Sequence, residues 1–408
     1  MKKILAGCLC IVLMISLFGC SMFHIGSEKE ETVVLNLAVR EGTYAEVVRH
    51  SLAEFEEEHN VKCEITELSE SELYKAILNS KKGSSTFDLS MVDGSWVAEF
   101  GEKNVLLNLS DMGYYLDNDI ITETTDISYY NGEVYLAPFF GNVTVLLYNK
   151  ELVQAAGYDK NSIRSFDDVL AICQSSQNSG NIGFLYRGDT DNNLVVDFLP
   201  VLLAYGGWVV DEENHPTVNT QEFKEAISCY LSLINTGKKT TKDDIVNAIT
   251  GGHGAITIGW PGWYTPYKDG TADYCAIEGR AHEGSELYNA NIYGIWGLGI
   301  CANSTHPNLS LELLDFLMSE RIQKASIDVG GVPCRYSCLN DKEVLEKYPQ
   351  YEDVCAALQN GKYRPIISNW SDYMEILGPH LNEIFQGKVT IDDGLNQAQS
   401  ELEELMGK

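Results

Sequence analysis

The chain has 408 residues, of which 44% are hydrophobic, so it is long and apolar enough to build two or three domains. Its formal net charge of −30 argues against a nucleic-acid partner, because binding phosphates requires clustered lysine and arginine side chains. The same acidity fits a solvated protein surface beside an anionic membrane.

The first element in the chain is a predicted export signal. Two lysines precede an uncharged apolar run over residues 4–18, which is shorter than the roughly 20 residues of a membrane span. The run ends in LFGC at residues 17–20, which resembles the bacterial lipobox, although Phe18 is bulkier than the usual residue there. A lipobox is cleaved before the cysteine, whose sulfur receives a diacylglycerol, so we predict lipidation of Cys20. The alternative is an ordinary signal anchor with a chance cysteine.

The next part of the sequence alternates strands with helices. Strands are predicted by TVVLNLAVR, VKCEITEL and FDLSMVDG, and helices by YAEVVRHSLAEFEEEHN and by SELYKAILNSKKG, which ends at Gly83. This alternation predicts a parallel sheet with crossover helices, in which ligands gather at the carboxyl ends of the strands. The loops at those ends carry Glu41, Tyr44, Asp93 and Trp96.

A second α/β unit begins near VTVLLYNK. SFDDVLAICQSSQ predicts a helix capped by Ser165, IGFLYRG a strand ending in Arg187, TQEFKEAISCYLSLINTG a helix with Gly237 at its C-cap, and GAITIGW another strand. The apolar stretch over residues 194–210 predicts a buried helix that runs into a loop. NIYGIWGLGICANS then predicts one strand, LSLELLDFLMSERIQKASIDVGG one helix, and the tail from Asp372 two helices.

The order of these motifs resembles extracellular solute-binding protein family 1, the binding components of ABC importers. The resemblance covers nearly all of the chain after the export signal and rests on stretches such as STFDLSMVDGSWVAEFGEKNVLLNLSD, NGEVYLAPFFGNVTVLLYNKELVQAAGYD, ITGGHGAITIGWPGWY and IFQGKVTIDDGLNQAQSEL. It implies an α/β fold of the type II periplasmic-binding-protein kind, a hinged clamshell of two lobes with the ligand in the cleft. It implies no catalytic residue, cofactor or metal.

The resemblance also implies a division of the chain. Residues 1–19 are the predicted lipoprotein signal peptide, and residues 20–32 are the predicted lipidated tether. The N-lobe is expected over residues 33–140 plus 295–328, and the C-lobe over residues 141–294 plus 329–408. The chain is expected to cross between the lobes near residues 140–144, 292–295 and 328–332.

Aromatic residues dominate the candidate ligand site. The six tryptophans all lie at predicted strand ends or in loops. Flat aromatic faces stack on the apolar C–H faces of sugars, while carboxylate, amide and guanidinium groups bind the hydroxyls. A cleft lined by aromatics and a few polar groups therefore suits a carbohydrate, and ordinary packing is the alternative for each tryptophan.

The predicted ligand contacts combine these aromatics with charged residues at strand ends. Trp263, Tyr264 and Trp296 lie where members of the resembled family stack sugar. The full predicted set is Glu41, Asp93, Trp96, Arg187, Trp208, Trp263, Tyr264, Trp296 and Arg335. For the arginines, the alternatives are an ion pair of Arg187 with Asp189 or Asp191, and simple surface exposure of Arg335. For the carboxylates, the alternative is a loop-forming or helix-capping role.

These observations predict a monomeric substrate-binding lipoprotein on the outer face of the bacterial cytoplasmic membrane. It would capture a sugar or oligosaccharide and deliver it to the transmembrane permease subunits of an ABC importer. Three alternatives remain open: a secreted carbohydrate-active enzyme with two carboxylates across the cleft, a binding module that feeds a sensor, and a non-sugar solute-binding protein. The sequence contains no G-x-S-x-G, H-E-x-x-H or P-loop motif.

The cysteines beyond the export signal are scattered and are expected to be small buried hydrophobes. Cys334 and Cys338 form the only close pair, and a lone C-x₃-C is a weak metal signal.

Overall fold

The computed structural model describes residues 32–80, 87–266 and 270–407. The predicted signal peptide, Cys20, most of the tether and the predicted helix stop at Gly83 lie outside the described residues. The described strands, in chain order, are β1 Val34–Arg40, β2 Lys62–Leu68, β3 Leu89–Asp93, β4 Tyr129–Tyr130, β5 Glu133–Val134, β6 Ala137–Phe140, β7 Val145–Asn149, β8 Ile182–Tyr186, β9 Lys238–Lys239, β10 Gly254–Gly259, β11 Ala272–Cys275, β12 Asn291–Ile292, β13 Trp296–Ile300 and β14 Gly361–Lys362.

Helices pack on both sides of these strands. The described α-helices, in chain order, are α1 Thr43–His59, α2 Glu70–Ser80, α3 Val97–Glu102, α4 Lys150–Ala155, α5 Phe166–Asn178, α6 Asp191–Ala204, α7 Gln221–Ile234, α8 Lys242–Thr250, α9 Pro307–Met318, α10 Glu320–Ser326, α11 Tyr336–Leu339, α12 Lys342–Lys347, α13 Tyr351–Gln359, α14 Trp370–Phe385 and α15 Ile391–Leu405.

The first sheet has the strand order β2-β1-β3-β13-β6 and forms the centre of the N-lobe. Strand β1 runs parallel to β2 and β3, whereas β13 is antiparallel to both β3 and β6. The register pairs Trp296, the first residue of β13, with Asp93, the last residue of β3. The carboxyl ends of β1 and β3 and the start of β13 therefore meet at one edge of this sheet.

The second sheet has the strand order β11-β7-β10-β8-β9 and forms the centre of the C-lobe. Strands β8 and β10 are parallel neighbours, so the residues that follow them emerge at the same edge. Arg187 follows β8, and Trp260 with the short 3₁₀ turn Pro261–Trp263 follows β10. Two clusters of buried apolar side chains pack around these sheets. One contains Leu37 of the first sheet and extends to Leu147 of the second, and the other contains Phe198 and Ile256.

Segments that run between the two sheets lie side by side. The backbone N–H of Thr144 donates to the carbonyl of Ile292 (2.9 Å), and the N–H of Gly294 donates to the carbonyl of Asn142 (2.9 Å). Strand β14 pairs with β12 beside them, and helices α14 and α15 then pack against each other, with α14 also against α6 of the C-lobe. The lobe limits drawn from the sequence remain predictions.

Several predicted elements end where the sequence indicates, and others do not. Ser165 and Asp168 form the capping box of α5, which confirms Ser165 as its N-cap. Helix α7 ends at Ile234, with Asn235 rather than Gly237 as its C-cap. Gly237 is required for a tertiary reason instead, because a Cβ there would lie 1.6 Å from the carbonyl oxygen of Phe184.

Two predicted continuous elements are divided. The predicted single strand after residue 290 is split into β12 and β13, with residues 293–295 between the two strands. The predicted single helix after residue 307 is split into α9 and α10 by Ser319, whose backbone is extended. Helical periodicity continues through this break, so the pattern alone gave no sign of it.

The eight cysteines in the described ranges are free thiols, and all but the half-buried Cys63 are buried. Burial raises the pKa of Cys334 to about 12 and that of Cys338 to about 11. Within the described part of the chain, the group with metal-ligand spacing is Asp211, Glu213 and His215, all exposed, and it does not include the C-x₃-C pair. Among the helices that the structure describes, none is long and apolar enough to cross a membrane.

Candidate functional site

A pocket with about 380 Å³ of empty space lies between the facing edges of the two sheets. Its lining combines aromatic, amide and charged side chains, namely Arg40, Tyr44, Glu70, Asp93, Asn142, Arg187, Asn192, Asn193, Val196, Trp260, Trp263, Gly294, Trp296 and Arg364. It adjoins a wider groove of about 1720 Å³ between α2, α6 and α14, with which it shares Arg40, Glu70, Asn192, Asn193 and Arg364. The pocket therefore lies at the carboxyl ends of strands, as parallel sheets predict.

The N-lobe wall is a row of aromatic rings beneath a guanidinium group. Trp296 packs against Tyr44 and Trp96, with ring centroids 5.6 and 5.4 Å apart, and is only 1% exposed. The guanidinium carbon of Arg40 lies 4.7 Å from the centroid of the Trp296 ring and 4.8 Å from that of Tyr44. Trp296 thus supports Arg40 through a cation–π contact more than it presents a free face to the pocket.

The C-lobe wall is built around a buried ion pair. Arg187 donates through Nε to Asp197 Oδ2 (2.9 Å), through Nη2 to Asp197 Oδ1, and through Nη1 to Asn193 Oδ1 (2.8 Å). Burial alone would lower the pKa of Arg187, but Asp197 outweighs it, so the pKa stays above its ordinary value and the group stays charged. The guanidinium lies 5.0 Å from the ring centroid of Trp263, which is half-buried.

A second buried ion pair closes the base of the pocket. Asp93 Oδ1 accepts from Arg364 Nη2 (2.6 Å), from the backbone N–H of Ser95 (2.9 Å) and from the Ser95 hydroxyl (2.7 Å). Burial raises the pKa of Asp93, but Arg364 and Ser95 outweigh burial, so the pKa lies below its usual value. Asp93 is therefore ionised, and it also caps the short helix Gly94–Trp96.

Two hydrogen bonds cross the pocket, one to the N-lobe from the segment between the sheets and one between the two lobes. Asn142 Nδ2 donates to the Tyr44 hydroxyl (3.1 Å), and Asn192 Nδ2 donates to Glu70 Oε1 (3.3 Å). The lobes are therefore in contact around the pocket, which is the arrangement expected of a closed cleft.

Six of the nine predicted ligand contacts line the pocket or the adjoining groove. Asp93, Arg187, Trp263 and Trp296 line the pocket, and Glu41 and Trp96 line the adjoining groove. The partner of Arg187 is Asp197, so the alternatives Asp189 and Asp191 were wrong. The structure brings these six residues together because each lies at a strand end on the facing edges.

Trp208, Tyr264 and Arg335 line neither the pocket nor the groove. Trp208 is covered by Lys362, whose Nζ lies 4.5 Å from the ring centroid. The backbone of Tyr264 is held by the hydroxyl of Tyr274.

Arg335 is not the exposed side chain that the alternative expected. It donates to Asp117 Oδ2 (2.7 Å), Asp119 Oδ2 (3.0 Å) and the carbonyl of Met318 (2.8 Å), and it is buried. These hydrogen bonds hold separate loops of the chain together. We therefore do not propose Arg335 as a ligand contact.

The sequence analysis missed polar residues that line the pocket, chiefly Arg40, Glu70, Asn142 and Arg364. Arg40 is the last residue of β1, so the strand-end argument that selected Glu41 applied to it equally. Arg364 follows a strand of only two residues and carries no comparable signal.

Comparisons with known proteins identify the family of this chain. Residues 41–324 match the bacterial extracellular solute-binding protein family. The chain is 23% identical over 332 residues to a probable amino-acid ABC transporter periplasmic-binding protein, y4oP, of Sinorhizobium fredii, which covers 77% of this chain and 75% of that protein. It is also 23% identical to the maltodextrin-binding protein MdxE of Bacillus subtilis, covering 65% of this chain and 64% of that one.

Solved structures show the same fold. Maltose-bound MalE3 of T. maritima superimposes with a TM-score of 0.81 at 22% identity, covering 92% of this chain and 100% of that one. A ribitol-bound ABC transporter solute-binding protein of Agrobacterium radiobacter K84 gives a TM-score of 0.81 at 20% identity, covering 91% and 98%. The fold is thus the two-lobed α/β fold predicted from the sequence, and the chain belongs to the bacterial extracellular solute-binding protein family.

Proposed function

We propose that this protein is the substrate-binding component of an ABC importer, which captures a carbohydrate between its lobes and delivers it to permease subunits. The observation that carries the proposal is the pocket itself, in which Trp263 and several charged side chains from both lobes converge. Relatives of this chain are named for maltodextrin or hold maltose or ribitol, which supports a polyhydroxylated ligand.

The pocket offers polar groups for the hydroxyls of a sugar and an aromatic face for its C–H groups. Guanidinium groups donate to hydroxyl oxygens, carboxylates accept from hydroxyl protons, and an indole face packs on C–H groups. Because Asp93 and Arg187 lie in different lobes, a ligand that contacts both favours the closed form. A closed, loaded protein then presents a distinct surface to the permease.

Neither buried carboxylate beside the pocket is placed as a proton donor. A glycoside hydrolase needs one carboxylic acid whose pKa is raised, so that it can donate a proton. Asp93 is paired with Arg364 and its pKa is lowered. Burial raises the pKa of Asp197, but both of its carboxylate oxygens accept from Arg187. Product formation in a long incubation with oligosaccharide would overturn the binding role.

We further propose that the mature protein is a monomer tethered to the outer face of the cytoplasmic membrane through Cys20. Two or more acyl chains, at about 0.8 kcal/mol per buried CH₂, anchor a protein stably. Changing Cys20→Ala is expected to release the protein from the membrane fraction or to stall its processing, and fractionation with immunoblotting measures this. Unchanged attachment and maturation of the variant would contradict the anchor.

The second candidate is a non-sugar solute, and the name of the amino-acid transporter relative favours it. Mass spectrometry of the ligand released by denaturing the purified protein separates the two candidates. We expect a polyhydroxylated compound, and recovery of an amino acid in its place would favour the second candidate.

A further inference from the structure

Two arginines in the pocket keep hydrogen-bond donors that no group in the described part of the chain uses. Within the described ranges, the guanidinium of Arg40 makes no hydrogen bond, and its one ion-pair contact is Nη2 to Glu70 Oε2 at 3.3 Å. The Arg40 side chain remains 25% exposed and lines both the pocket and the groove.

Arg364 also has unused guanidinium donors, although its side chain is almost fully buried. It is 7% exposed, and among the described residues it bonds only through Nη2, to Asp93, while its Nε has no partner there. A guanidinium carries five N–H donors, so both groups are far from satisfied. Arg187 differs, because each of its three nitrogens is bonded to Asp197 or Asn193.

Most acceptors of the pocket are already engaged. Asp93 Oδ1 takes three donors, and the two oxygens of Glu70 face Asn192 and Arg40. The acceptors that remain among the described residues include the buried Asn142 Oδ1, Asn192 Oδ1 and Asp93 Oδ2, none of which accepts a hydrogen bond there. A ligand that satisfies the pocket therefore supplies acceptors to Arg40 and Arg364 and donors to these oxygens.

We propose that the ligand is an acidic carbohydrate, whose carboxylate lies against Arg40 and Arg364 and whose hydroxyls donate to Asp93 and Asn142. The inference rests on the proposed function, since it specifies the class of sugar. A carboxylate accepts several hydrogen bonds, and charge-assisted bonds to guanidinium are about twice as strong as neutral ones. Hydroxyl oxygens of a neutral sugar also accept from guanidinium groups, but those bonds lack the opposite charge that a carboxylate supplies.

The acidity of the whole chain does not oppose this inference. The formal net charge is −30, but charges separated by more than about 8 Å are screened at physiological salt. The ligand carboxylate would sit in direct contact with two guanidiniums, where screening is weak.

The test measures the affinity of the mature protein for matched probes by isothermal titration calorimetry. The probes are D-galacturonate and D-glucuronate, their digalacturonate and methyl-ester forms, the neutral sugars galactose and glucose, and glutamate. We expect at least one uronate to bind about 10-fold or more tightly than its ester and its neutral sugar. Arg40→Gln should weaken uronate binding about 10- to 100-fold, and Arg40→Lys should weaken it less because the charge remains.

Matched controls make each outcome decisive. Arg321→Gln removes an arginine that is 62% exposed and paired with Glu54, so uronate binding should not change. Neutral sugars binding more tightly than every uronate would overturn the inference and leave the proposed function standing. Binding of glutamate but of no carbohydrate would overturn both. Failure of every uronate to bind a protein with a cooperative melting transition would also overturn the inference.

Discussion

Arg187 and Asp197 show how one buried ion pair can shape a binding wall. Asp197 is 2% exposed within the apolar helix α6, and its carboxylate fixes the guanidinium that covers Trp263. Burying two charges is costly unless they pair and their remaining hydrogen bonds are satisfied, and here Asn193 supplies a further acceptor. The pair therefore holds the position of Trp263 and does not need a ligand to be satisfied.

The two pocket tryptophans are expected to respond differently to truncation. Trp263→Ala should weaken ligand binding by about 1–3 kcal/mol with little loss of stability, because the half-buried ring lies in the cleft. Trp296→Ala should destabilise the fold by about 3–5 kcal/mol, because the ring is 1% exposed and packed in the N-lobe. Urea denaturation and calorimetric titration of both variants measure the two effects, and equal stability losses would contradict this distinction.

The pair of Asp93 and Arg364 predicts a dependence of stability on pH. The pKa of Asp93 is lower in the folded protein than in the unfolded chain, where it is about 3.9. Asp93 therefore contributes fully to the free energy of unfolding above about pH 3.9, and this contribution is lost as pH falls through the lower pKa of the folded state. Asp93→Asn should therefore lower the melting temperature at pH 7, with a difference from the wild type that narrows below about pH 4. Thermal melts from pH 7 to pH 3 test this, with the exposed Asp189→Asn as the control. A constant difference across that range would contradict the assignment.

At the scale of single elements, helix α5 depends on its cap. The Ser165 hydroxyl accepts from the N–H of Asp168 (3.3 Å), and the Ser165 N–H donates to the Asp168 carboxylate (2.8 Å). Ser165→Ala removes the hydroxyl half of this box and should destabilise the protein by about 1 kcal/mol. Chemical denaturation measures the loss, with the exposed Ser179→Ala at the other end of α5 as a matched comparison. If Ser179→Ala lowered the free energy of unfolding by the same amount, the proposed stabilising role of the Ser165 cap would be contradicted.

We expect any opening and closing of the cleft to depend on the segments predicted to cross between the lobes. A Cβ at Gly294 would lie 2.5 Å from the Trp260 ring, so this position accepts no side chain unless the pocket lining moves. Close packing here links the backbone between the lobes directly to a residue of the pocket wall.

At the scale of the whole molecule, closure is the expected response to ligand. The bonds of Asn142 to Tyr44 and of Asn192 to Glu70 join the lobes in the closed form, and a bound ligand would add to them. Full reversal of a closed-to-open ratio from 1:99 to 99:1 requires ~5.5 kcal/mol of differential affinity. We therefore expect ligand to reduce the radius of gyration in solution scattering and to raise the melting temperature.

The two measurements together separate closure from simple binding. A saturating ligand that raises the melting temperature but leaves the scattering curve unchanged would indicate binding to one lobe. Asn192→Ala, which removes one bond between the lobes, should shift the unliganded protein toward the larger radius.

The sequence by itself determined many of the helices and strands and which residues follow the strand ends. Periodicity, caps and strand-end position are local properties, so β1, α1, β3, α5 and the strand-end loops were readable from neighbouring residues. The family resemblance added the two-lobed arrangement, because the order of motifs extends along nearly the whole chain.

Only the tertiary structure decided which strand-end residues form the pocket and what each one does there. Asp93 meets Arg364 across 271 positions of sequence, and Arg335 pairs with Asp117 across 218. No local pattern encodes such meetings, because they follow from how the sheets, hinge segments and loops pack together. The same packing buried Trp296 under Arg40 and left Trp263 half-buried, which a tryptophan at a strand end cannot reveal from its neighbours in sequence.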